Sequence, residues 1–276
     1  MSLVEPEAAP RAAAGARPRI IAVANQKGGV GKTTTAVNLA TAFAANERRV
    51  LVIDLDPQAN ATTGLGVVEG TVTATSYDLL LGGAELEAAT VASAVPRLDV
   101  VPATPDLAAA EIELGARPRR EFLLSRAVRS HLGAYDEVLI DCPPSLNLLT
   151  INALTASDRV LVPLQCEFYA LAGLAQLMGT IERVRHSLNP RLELQGVVLT
   201  MYDRRNNLCE QVAADVRSHF GDKVYATVIP RNVRVSEAPS HGVPVLIYDH
   251  RCPGAQAYIQ LAAEMLRPRL AARFMP

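Results

Sequence analysis

The 276-residue sequence lacks several features that would assign it to a common class of protein. No apolar run reaches the roughly 18 residues that a membrane-spanning helix needs. Residues 1–18 carry acidic residues and prolines where a signal peptide has its apolar segment, so we do not expect a signal peptide. The formal net charge is −1, so no strong overall field attracts the chain to nucleic acid or to a membrane. Binding of that kind therefore requires a local patch.

Cysteine is scarce and widely spaced. The four cysteines are Cys142, Cys166, Cys209 and Cys252, and no two of them form a CxxC pair. This spacing disfavours a disulfide framework and a zinc site. We expect reduced thiols in a cytosolic protein.

Lysine is scarcer still. The chain has three lysines, Lys27, Lys32 and Lys223, and its other cations are arginines. Two of the three lie five residues apart in one glycine-rich segment, which indicates a need for a compact ammonium group there. A GC-rich genome that favours arginine would explain the arginines but not this placement.

That glycine-rich segment, KGGVGKT, lies between an apolar run at 20–24 and a stretch with apolar residues at helical spacing. Strand, glycine-rich turn and helix are the context of a phosphate-binding loop, where backbone N–H groups and a helix N-terminus converge on phosphates. Lys32 is expected to contact the β- and γ-phosphates, and the Thr33 hydroxyl to ligate Mg²⁺. The predicted nucleotide contacts in the loop are Lys27, Gly28, Gly29, Val30, Gly31, Lys32, Thr33 and Thr34.

The loop departs from the general pattern GxxxxGK[ST], because Gln26 replaces the first glycine and Lys27 and Gly28 follow. The variant KGGxGK[ST] resembles the deviant Walker A ATPases, which include the ParA/Soj partition proteins, MinD, the nitrogenase iron protein and the arsenite pump ATPase. The resemblance implies that Lys27 reaches across a dimer to the partner's phosphates and that Gly28 lies at the contact between subunits. The cysteines that bridge a cluster in the nitrogenase iron protein have no matching context here.

Aspartates follow two further predicted strands. The strand at 49–55 runs into DLDPQ, and the strand at 135–140 runs into DCPPS. Because ligands bind at the carboxyl ends of parallel strands, we expect Asp54, Asp56 and Asp141 near the phosphates. Asp141 ends its apolar strand as a Walker B aspartate does, where the carboxylate holds Mg²⁺, usually through water.

Both runs are similar to ParA/Soj sequences. The resemblance implies that Asp56 orients or activates the attacking water, which makes it catalytic together with Lys27 and Lys32. It also implies that Asp54 lies near the water shell of Mg²⁺, so the predicted metal site comprises Thr33, Asp54 and Asp141. Helix capping or turn chemistry is the alternative for Asp54 and Asp56.

The run at 229–249, IPRNVRVSEAPSHGVPVLIYD, is also close to chromosomal ParA/Soj proteins. The resemblance implies that Pro230 and Asn232 lie near the adenine and that Arg205 and Arg234 bind DNA non-specifically. Charge alone supports this weakly, because ten Lys/Arg oppose seven Asp/Glu from residue 196 onward. A solvated surface of mixed charge is the alternative.

Strands alternate with helices along the chain, which predicts right-handed crossovers. We therefore predict an α/β fold with a single doubly wound, mostly parallel sheet and helices on both faces, of the P-loop NTPase, deviant Walker A type. The last predicted strands are 194–201 and 224–229, and the predicted helices include 121–132, 168–188, 207–220 and 252–270. Composition shows no break, so we predict one ATPase domain at 19–270, between a disordered N-terminal tail at 1–18 and a C-terminal tail at 271–276.

The motifs together predict a ParA/Soj-type ATPase that uses ATP and Mg²⁺. By the resemblance, ATP closes a homodimer that binds non-specific DNA, and a ParB-type partner stimulates slow hydrolysis during chromosome or plasmid segregation in the cytoplasm, on the nucleoid. One alternative is a MinD-like positioning ATPase on membranes, which Pro268 and a short C-terminal tail disfavour, so no membrane partner is predicted. Another is a biosynthetic P-loop ligase such as dethiobiotin synthetase, which needs neither Lys27 nor DLDPQ.

Overall fold

The computed structural model describes residues 17–68, 70–129 and 132–267. The strands within these residues are β1 (Arg19–Val23), β2 (Val50–Asp54), β3 (Val91–Ala92), β4 (Leu98–Val101), β5 (Glu137–Asp141), β6 (Arg159–Gln165) and β7 (Glu193–Thr200). The α-helices are α1 (Lys32–Ala45), α2 (Asn60–Gly64), α3 (Ser76–Leu81), α4 (Leu86–Ala89), α5 (Leu107–Gly115), α6 (Leu123–Arg129), α7 (Leu148–Ala156), α8 (Ala170–Ser187), α9 (Asn207–Phe220), α10 (Val233–Glu237), α11 (Val245–Tyr248) and α12 (Pro253–Leu266).

The strands form one sheet in the order β3-β4-β2-β5-β1-β6-β7. Every neighbouring pair is parallel except β3 with β4, which is antiparallel. The last residues of the parallel strands therefore meet along one side of the sheet, called here the carboxyl edge, and their first residues meet along the opposite amino edge. The predicted doubly wound, mostly parallel sheet is confirmed.

Alternate residues of the central strand β1 enter different cores, as the two-residue period of a strand requires. Ile20 and Ala22 pack with residues of α3 and α5 to α9 on one face of the sheet. Ile21 and Val23 pack with α1, α2 and α12 on the other face. Burial on both faces explains the continuous apolar runs of the parallel strands, and it fixes the strand ends that carry the polar residues.

The predicted strand at 224–229 is wrong. Its segment meets β7 at its two ends, through one isolated bridge between Val197 and Val224 and through backbone bonds that Tyr225 and Ile229 donate to the Val197 and Leu199 carbonyls. Between its ends, the N–H groups of Ala226 and Thr227 donate to the carboxylate of Glu264, at 2.8 and 3.0 Å. A side chain of α12 thus takes the donors that a β ladder would use, which a β-branched sequence pattern does not reveal.

Other predicted bounds need smaller corrections. The helix predicted at 121–132 begins with a 3₁₀ turn at Arg120–Phe122, and its α-helical part is α6. The helix predicted at 252–270 ends at Leu266 in the structure, with Pro268 outside the described residues. The short antiparallel strand β3 was not predicted. The predicted tails, 1–18 and 271–276, lie outside the described residues except for Arg17 and Pro18.

All four cysteines are free and buried. Over the parts of the chain that the structure describes, no helix combines the length and apolarity needed to cross a bilayer.

Candidate nucleotide site

The glycine-rich loop connects β1 to α1 at the carboxyl edge. Gly29 and Gly31 have φ angles of 74° and 86°, a left-handed conformation that glycine adopts without strain. Gly31 is the N-cap of α1, so the partial positive charge of that helix faces the loop, and the first turn of α1 carries no acidic residue that would neutralise it. The loop therefore offers an anion the backbone environment that the sequence predicted.

Two side chains, those of Asn25 and Thr200, hold the loop in place. The Asn25 amide donates to the Pro163 carbonyl on β6 at 2.8 Å, and its oxygen accepts the Lys27 N–H at 3.1 Å. At the last residue of β7, the Thr200 hydroxyl donates to the Val30 carbonyl at 2.8 Å. The loop is thus tied to the two strands beyond β1 in the sheet.

The two lysines of the loop differ in exposure. Lys32 is 6% exposed, and its ammonium donates to the Lys27 carbonyl at 3.1 Å. Burial lowers the pKa of Lys32, while Asp141, Cys142 and Asp56 oppose that shift. The side chain of Lys27 is 46% exposed and forms an ion pair with Glu167, just beyond β6. Lys32 thus lies within the loop, and Lys27 lies on the surface beside it.

The remaining loop positions lie as follows. Val30 is buried, whereas Gly28 and Gly29 are exposed. A Cβ atom built at Gly28 would meet only the Pro144 side chain, at an ordinary contact distance of 3.8 Å. Packing within the described chain therefore gives no reason for glycine at this position. Thr33 and Thr34, at the start of α1, line a cavity of about 410 Å³.

Asp141 and Asp54 end the neighbouring strands β5 and β2 and lie directly opposite each other in the register. Asp141 is fully buried, and neither of its oxygens accepts a hydrogen bond of ordinary geometry from a described residue. Burial and the charge of Asp54 raise its pKa well above the usual range, and the Thr33 hydroxyl and Lys32 oppose that shift. A buried carboxylate without a donor is a group that a cation would satisfy.

Asp54 is also fully buried, but the protein satisfies both of its oxygens. One accepts the Asp56 N–H at 3.1 Å, and the other accepts the N–H and hydroxyl of Thr62 at 2.9 and 2.8 Å. Burial raises the pKa of Asp54 to about 6 despite these bonds. Asp54 therefore fixes the position of the chain from Asp56 to α2.

Asp56 follows β2 at the same edge and is 7% exposed. One of its oxygens accepts the Gln58 N–H at 3.0 Å, and its carbonyl accepts the Ala59 N–H at 2.9 Å. Ala59 has a φ angle of 53°, a conformation that disfavours a side chain with Cβ. Turn chemistry at Asp56 is therefore present, and it leaves the second carboxylate oxygen outside those two bonds.

The residues predicted to contact the base and DNA lie beyond the end of β7. Pro230 and Asn232 line an open cleft of about 810 Å³ together with Arg205. Asn232 caps α10 through a 3.0 Å bond from the Arg234 N–H. The structure thus gathers three of these four predicted residues at one cleft, with Arg234 on the adjoining helix.

Both predicted DNA-binding arginines are exposed and paired with carboxylates. Arg205 forms two bonds with Asp203, at 3.0 and 2.9 Å, and its side chain is 90% exposed. Arg234 contacts Glu237 at 3.0 Å and Asp249 at 3.7 Å. Hydrogen bonds from Arg205 lower the pKa of Asp203 to about 2. A phosphate group would have to replace these carboxylates.

Sequence reasoning missed four residues of the site: Asn25, Thr62, Glu167 and Thr200. Thr200 and Glu167 act on the phosphate loop from distant parts of the chain, whereas Asn25 lies two residues before Lys27 and Thr62 lies eight residues after Asp54. No local sequence pattern marked any of the four. No described group of three or more His, Cys, Asp or Glu side chains could hold a metal by itself. Mg²⁺ beside a nucleotide does not need such a group, since phosphates and water complete its shell.

Comparisons with known proteins agree with this geometry. A family model described as an AAA domain matches residues 18–194. The chain is 64% identical over 251 residues to the chromosome partitioning protein ParA of Caulobacter vibrioides, covering 90% of this chain and 94% of the relative. It is 55% identical over 247 residues to the sporulation initiation inhibitor protein Soj of Bacillus subtilis, covering 90% and 98%.

Solved structures share the fold. Cobyrinic acid a,c-diamide synthase from Mycobacterium smegmatis, with a bound ATP analogue and magnesium, is 40% identical with a TM-score of 0.80, over 94% of this chain and 98% of that one. The cell division ATPase MinD of Pyrococcus furiosus is 29% identical with a TM-score of 0.75, over 90% and 98%. On the strength of the sequence relatives, the chain belongs to the ParA/Soj family of partitioning ATPases.

Proposed function

We propose that ATP closes a homodimer of this chain, that the dimer binds DNA non-specifically, and that hydrolysis stimulated by a ParB-type partner releases the DNA during chromosome or plasmid segregation. The chain would then work in the cytoplasm, on the nucleoid. The observation that carries the proposal is the contrast between the buried Lys32 and the exposed Lys27. One lysine serves the phosphates of its own loop, and the other is available to the phosphates of a second copy.

ATP and Mg²⁺ fit the residues at the carboxyl edge. Asp141 is a buried carboxylate that accepts no hydrogen bond of ordinary geometry from the described residues, and the Thr33 hydroxyl lies beside it. The oxygens of Asp54 are already bonded, so Asp54 reaches a cation through its water shell. Bound with ATP, Mg²⁺ would neutralise the charge of the β- and γ-phosphates. The relative with a bound ATP analogue and magnesium supports this pair of ligands.

Asp56 is the residue we assign to the attacking water. Its backbone is fixed by Asp54, and one carboxylate oxygen is held by the Gln58 N–H, which leaves the other to orient or deprotonate a water molecule. Loss of this group removes water activation but leaves Lys32 and the loop unchanged. Asp56→Ala is therefore a tool for trapping the ATP-bound form.

The dimer contact follows from the surface around the loop. Lys27, Gly28 and Gly29 form an exposed strip beside the phosphate site. Gly28 has room for a side chain within its own chain, so the contact that requires glycine there comes from outside it. In this arrangement Lys27 leaves Glu167 and reaches the phosphates of the partner, which ties dimer formation to ATP.

To bind DNA, the exposed arginines must leave their carboxylate partners and pair with DNA phosphates instead. Surface ion pairs like those of Arg205 and Arg234 contribute about 0–1 kcal/mol each, so the exchange costs little. Each phosphate that a cation neutralises releases counterions, with a log–log salt slope of about −0.9. A dimer that joins two such patches therefore has a much higher affinity for DNA than a single chain. When the dimer dissociates after hydrolysis, the DNA is released.

Two other functions have a specific observation in their favour. The MinD relative favours an ATPase that positions other proteins at a membrane, and the synthase relative favours a ligase that turns over ATP on a small molecule. Flotation with anionic vesicles and ATP tests the first. Full ATP turnover without DNA or a ParB-type partner would favour the second.

Arg234→Glu tests the DNA step. In the Asp56→Ala background with ATP, we expect affinity for a non-specific duplex to fall by at least about tenfold at moderate salt, with a smaller salt slope. Arg117→Glu, an exposed arginine elsewhere, is the charge-matched control. Sedimentation of the same samples should show an intact dimer. Unchanged DNA affinity in an intact dimer would show that Arg234 is not part of the DNA surface.

A further inference from the structure

An exposed pair of aromatic residues lies in the turn between β6 and α8. Phe168 and Tyr169 are 75% and 73% exposed, and their rings pack edge to face with centroids 5.0 Å apart. The backbone of this turn is fixed, because the Ala170 N–H donates to the Glu167 carbonyl at 2.9 Å. The two rings therefore project into solvent from a defined turn.

Folding of the chain does not call for aromatic side chains at this turn. Tyr169 is the N-cap of α8, a position that favours serine, threonine, aspartate or asparagine, and its side chain makes no capping bond. The buried residues of α8 begin one position later, at Ala170. Large exposed apolar groups are typical of surfaces that bind another molecule. The pair therefore fits a binding role better than a structural one.

The exposed side of α8 continues this surface without charge. Residues 170–181 contain no acidic or basic residue. A Cβ atom built at Gly179 would meet nothing within 4 Å, so the helix is open on this side. Protein interfaces are depleted of charged residues at their centre and enriched in aromatic ones. The α8 surface, as it is called here, comprises Phe168, Tyr169, Ala172, Ala175, Gln176 and Gly179, all of them exposed.

An acid lies at the start of the α8 surface. The side chain of Glu167 is 44% exposed and pairs with Lys27. When Lys27 moves to the phosphates of a second copy, as in the proposed function, the Glu167 carboxylate loses this cation. Lys27 of the second copy is bound to phosphates in the same arrangement and does not replace it. The carboxylate then becomes available to a cation from a third chain.

The chemistry of the surface identifies what it binds. Apolar side chains would cover α8, and a lysine or arginine beside them would pair with Glu167. The same cation would lie near the rings of Phe168 and Tyr169, whose faces attract positive charge. An anionic membrane or a nucleic acid would instead be repelled by the carboxylate. The surface therefore suits an apolar protein segment with a cation at one end.

We propose that the α8 surface docks such a segment of the partner that stimulates hydrolysis, and that departure of Lys27 from Glu167 opens the site. This step rests on the proposed function, from which it takes the movement of Lys27. Before ATP binds, the Lys27 ammonium occupies the carboxylate and repels an incoming cation. After the dimer closes, the carboxylate attracts that cation. The partner would thus recognise the ATP-bound dimer without touching the nucleotide.

The first test measures binding of a fluorescent peptide that imitates the occupant. The peptide is a short helix of leucine, alanine and serine with lysines at one end, and its control carries glutamates instead of the lysines. The full chain is used as Asp56→Ala, with ATP and with ADP. We expect the lysine peptide to bind the ATP form at least about threefold more tightly than the ADP form, and the glutamate peptide to bind both weakly.

Variants separate the apolar contact from the charge. Phe168→Ser/Tyr169→Ser should weaken binding of the lysine peptide by at least about tenfold, whereas Ile112→Ser, at an 84% exposed position on α5, should not. Glu167→Gln should remove the difference between the ATP and ADP forms. Lys27→Ala with ADP should bind the peptide as tightly as the ATP form does, which tests the opening of the site without a dimer.

The second test uses a ParB-type protein from the same genome and the chain with Asp56 intact. Phe168→Ser/Tyr169→Ser should lose most of the stimulation, while hydrolysis without the partner, ATP-dependent dimerisation and thermal melting stay unchanged. Equal peptide binding by this variant and Ile112→Ser, or full stimulation of the variant, would overturn the proposal. Loss of the dimer in the variant would overturn it too, because a second copy would then cover the surface.

The outcomes also distinguish this proposal from the proposed function. If ATP produces no dimer of the unmodified chain, the proposed function fails. Peptide binding that depends on Phe168 and Tyr169 and increases in Lys27→Ala would still support the docking site in that case. Absence of such binding would overturn the docking site as well.

Discussion

The charged residues at one end of the sheet are buried, and those at the other end are mostly exposed. At the carboxyl edge, Asp141 and Lys32 are buried, and the carboxylate of Asp141 accepts no hydrogen bond of ordinary geometry within the described chain. At the amino edge, the arginines are mostly exposed and meet carboxylates such as Asp158 and Glu193. Buried, unsatisfied groups destabilise the chain until a ligand of matching shape binds. Exposed pairs cost little and can be exchanged for an anion of any shape. The first end is therefore suited to one ligand, whereas the second carries surface ion pairs that can be exchanged.

The largest expected effect is at the carboxyl edge. Lys32→Ala removes the ammonium group inside the loop. The phosphates then lose roughly two charge-assisted hydrogen bonds, of about 1.5–3 kcal/mol each. We expect ATP affinity to fall by about 100-fold or more in calorimetric titration. Lys223→Ala, which removes the lysine outside the loop, is the control and should bind ATP normally. Near-normal affinity in Lys32→Ala would remove the basis for the phosphate site.

Gly28→Val tests whether the carboxyl edge meets a second copy. A Cβ at this position has room within the chain, so ATP binding should stay within a few-fold of normal. We expect the ATP-dependent dimer to disappear in sedimentation, because a branched side chain would occupy the contact. Gly179→Val, on α8 with open space around it, is the control. A stable ATP dimer of Gly28→Val would place the interface elsewhere.

Asp141→Asn should separate stability from function. Replacing a buried carboxylate that accepts no hydrogen bond of ordinary geometry from the described residues should stabilise the chain without ligand by about 1–3 kcal/mol. The same change should abolish Mg²⁺-dependent hydrolysis, because the amide carries no charge to hold the cation. Thermal melting and phosphate release measure the two effects. A destabilised Asp141→Asn chain would mean that the carboxylate already has a partner.

Stability without ligand should also depend on pH at this edge. The pKa of Asp54 is raised to about 6 and that of Asp141 is raised as well, so the folded chain holds protons that the unfolded chain releases. The contribution of Asp54 is complete below about pH 4 and is lost as pH rises through about 6, and the contribution of Asp141 is likewise present at low pH and lost as pH rises. Each group gives a slope of up to about 1.4 kcal/mol per pH unit. Melting of Asp141→Asn between pH 4 and 7 should show a flatter profile. An identical slope in both chains would exclude Asp141 as its source.

The smallest expected effect concerns Glu167. Glu167 forms an exposed ion pair with Lys27, and Lys27 must leave this pair to contact the phosphates of a second copy. Exposed ion pairs contribute less than about 1 kcal/mol to stability. Glu167→Gln should therefore strengthen ATP-dependent dimerisation by no more than about fivefold. Glu182→Gln, at an exposed pair on α8, is the control. Weaker dimers in Glu167→Gln would mean that Glu167 itself contacts the partner.

The sequence predicted the parts of this chain that depend on neighbouring residues. The phosphate loop and the aspartates that follow β2 and β5 could be located because a motif, an apolar run and a helix repeat lie side by side. The bond from Thr200 to Val30 and the Lys27–Glu167 pair join residues far apart in the chain, and the bonds of Thr62 to Asp54 form across a turn of eight residues. No local sequence pattern marks any of them. The strand predicted at 224–229 is wrong for a similar reason. Glu264, a distant residue on α12, accepts a backbone N–H of this segment that a strand would pair with its neighbour. The position of Arg19 opposite Glu137 appears only when strand register is known.

The buried thiols make this chain suited to distance measurements by fluorescence. Burial raises the pKa of the Cys166 thiol to about 12 and raises that of Cys142 as well, so both remain protonated and react slowly with maleimides. A single cysteine introduced at an exposed position, such as Arg117→Cys, would therefore take up nearly all of a dye without removal of the native thiols. Energy transfer between two such dyes, one on each copy, would follow in real time how the chains approach when ATP is added and separate when it is consumed.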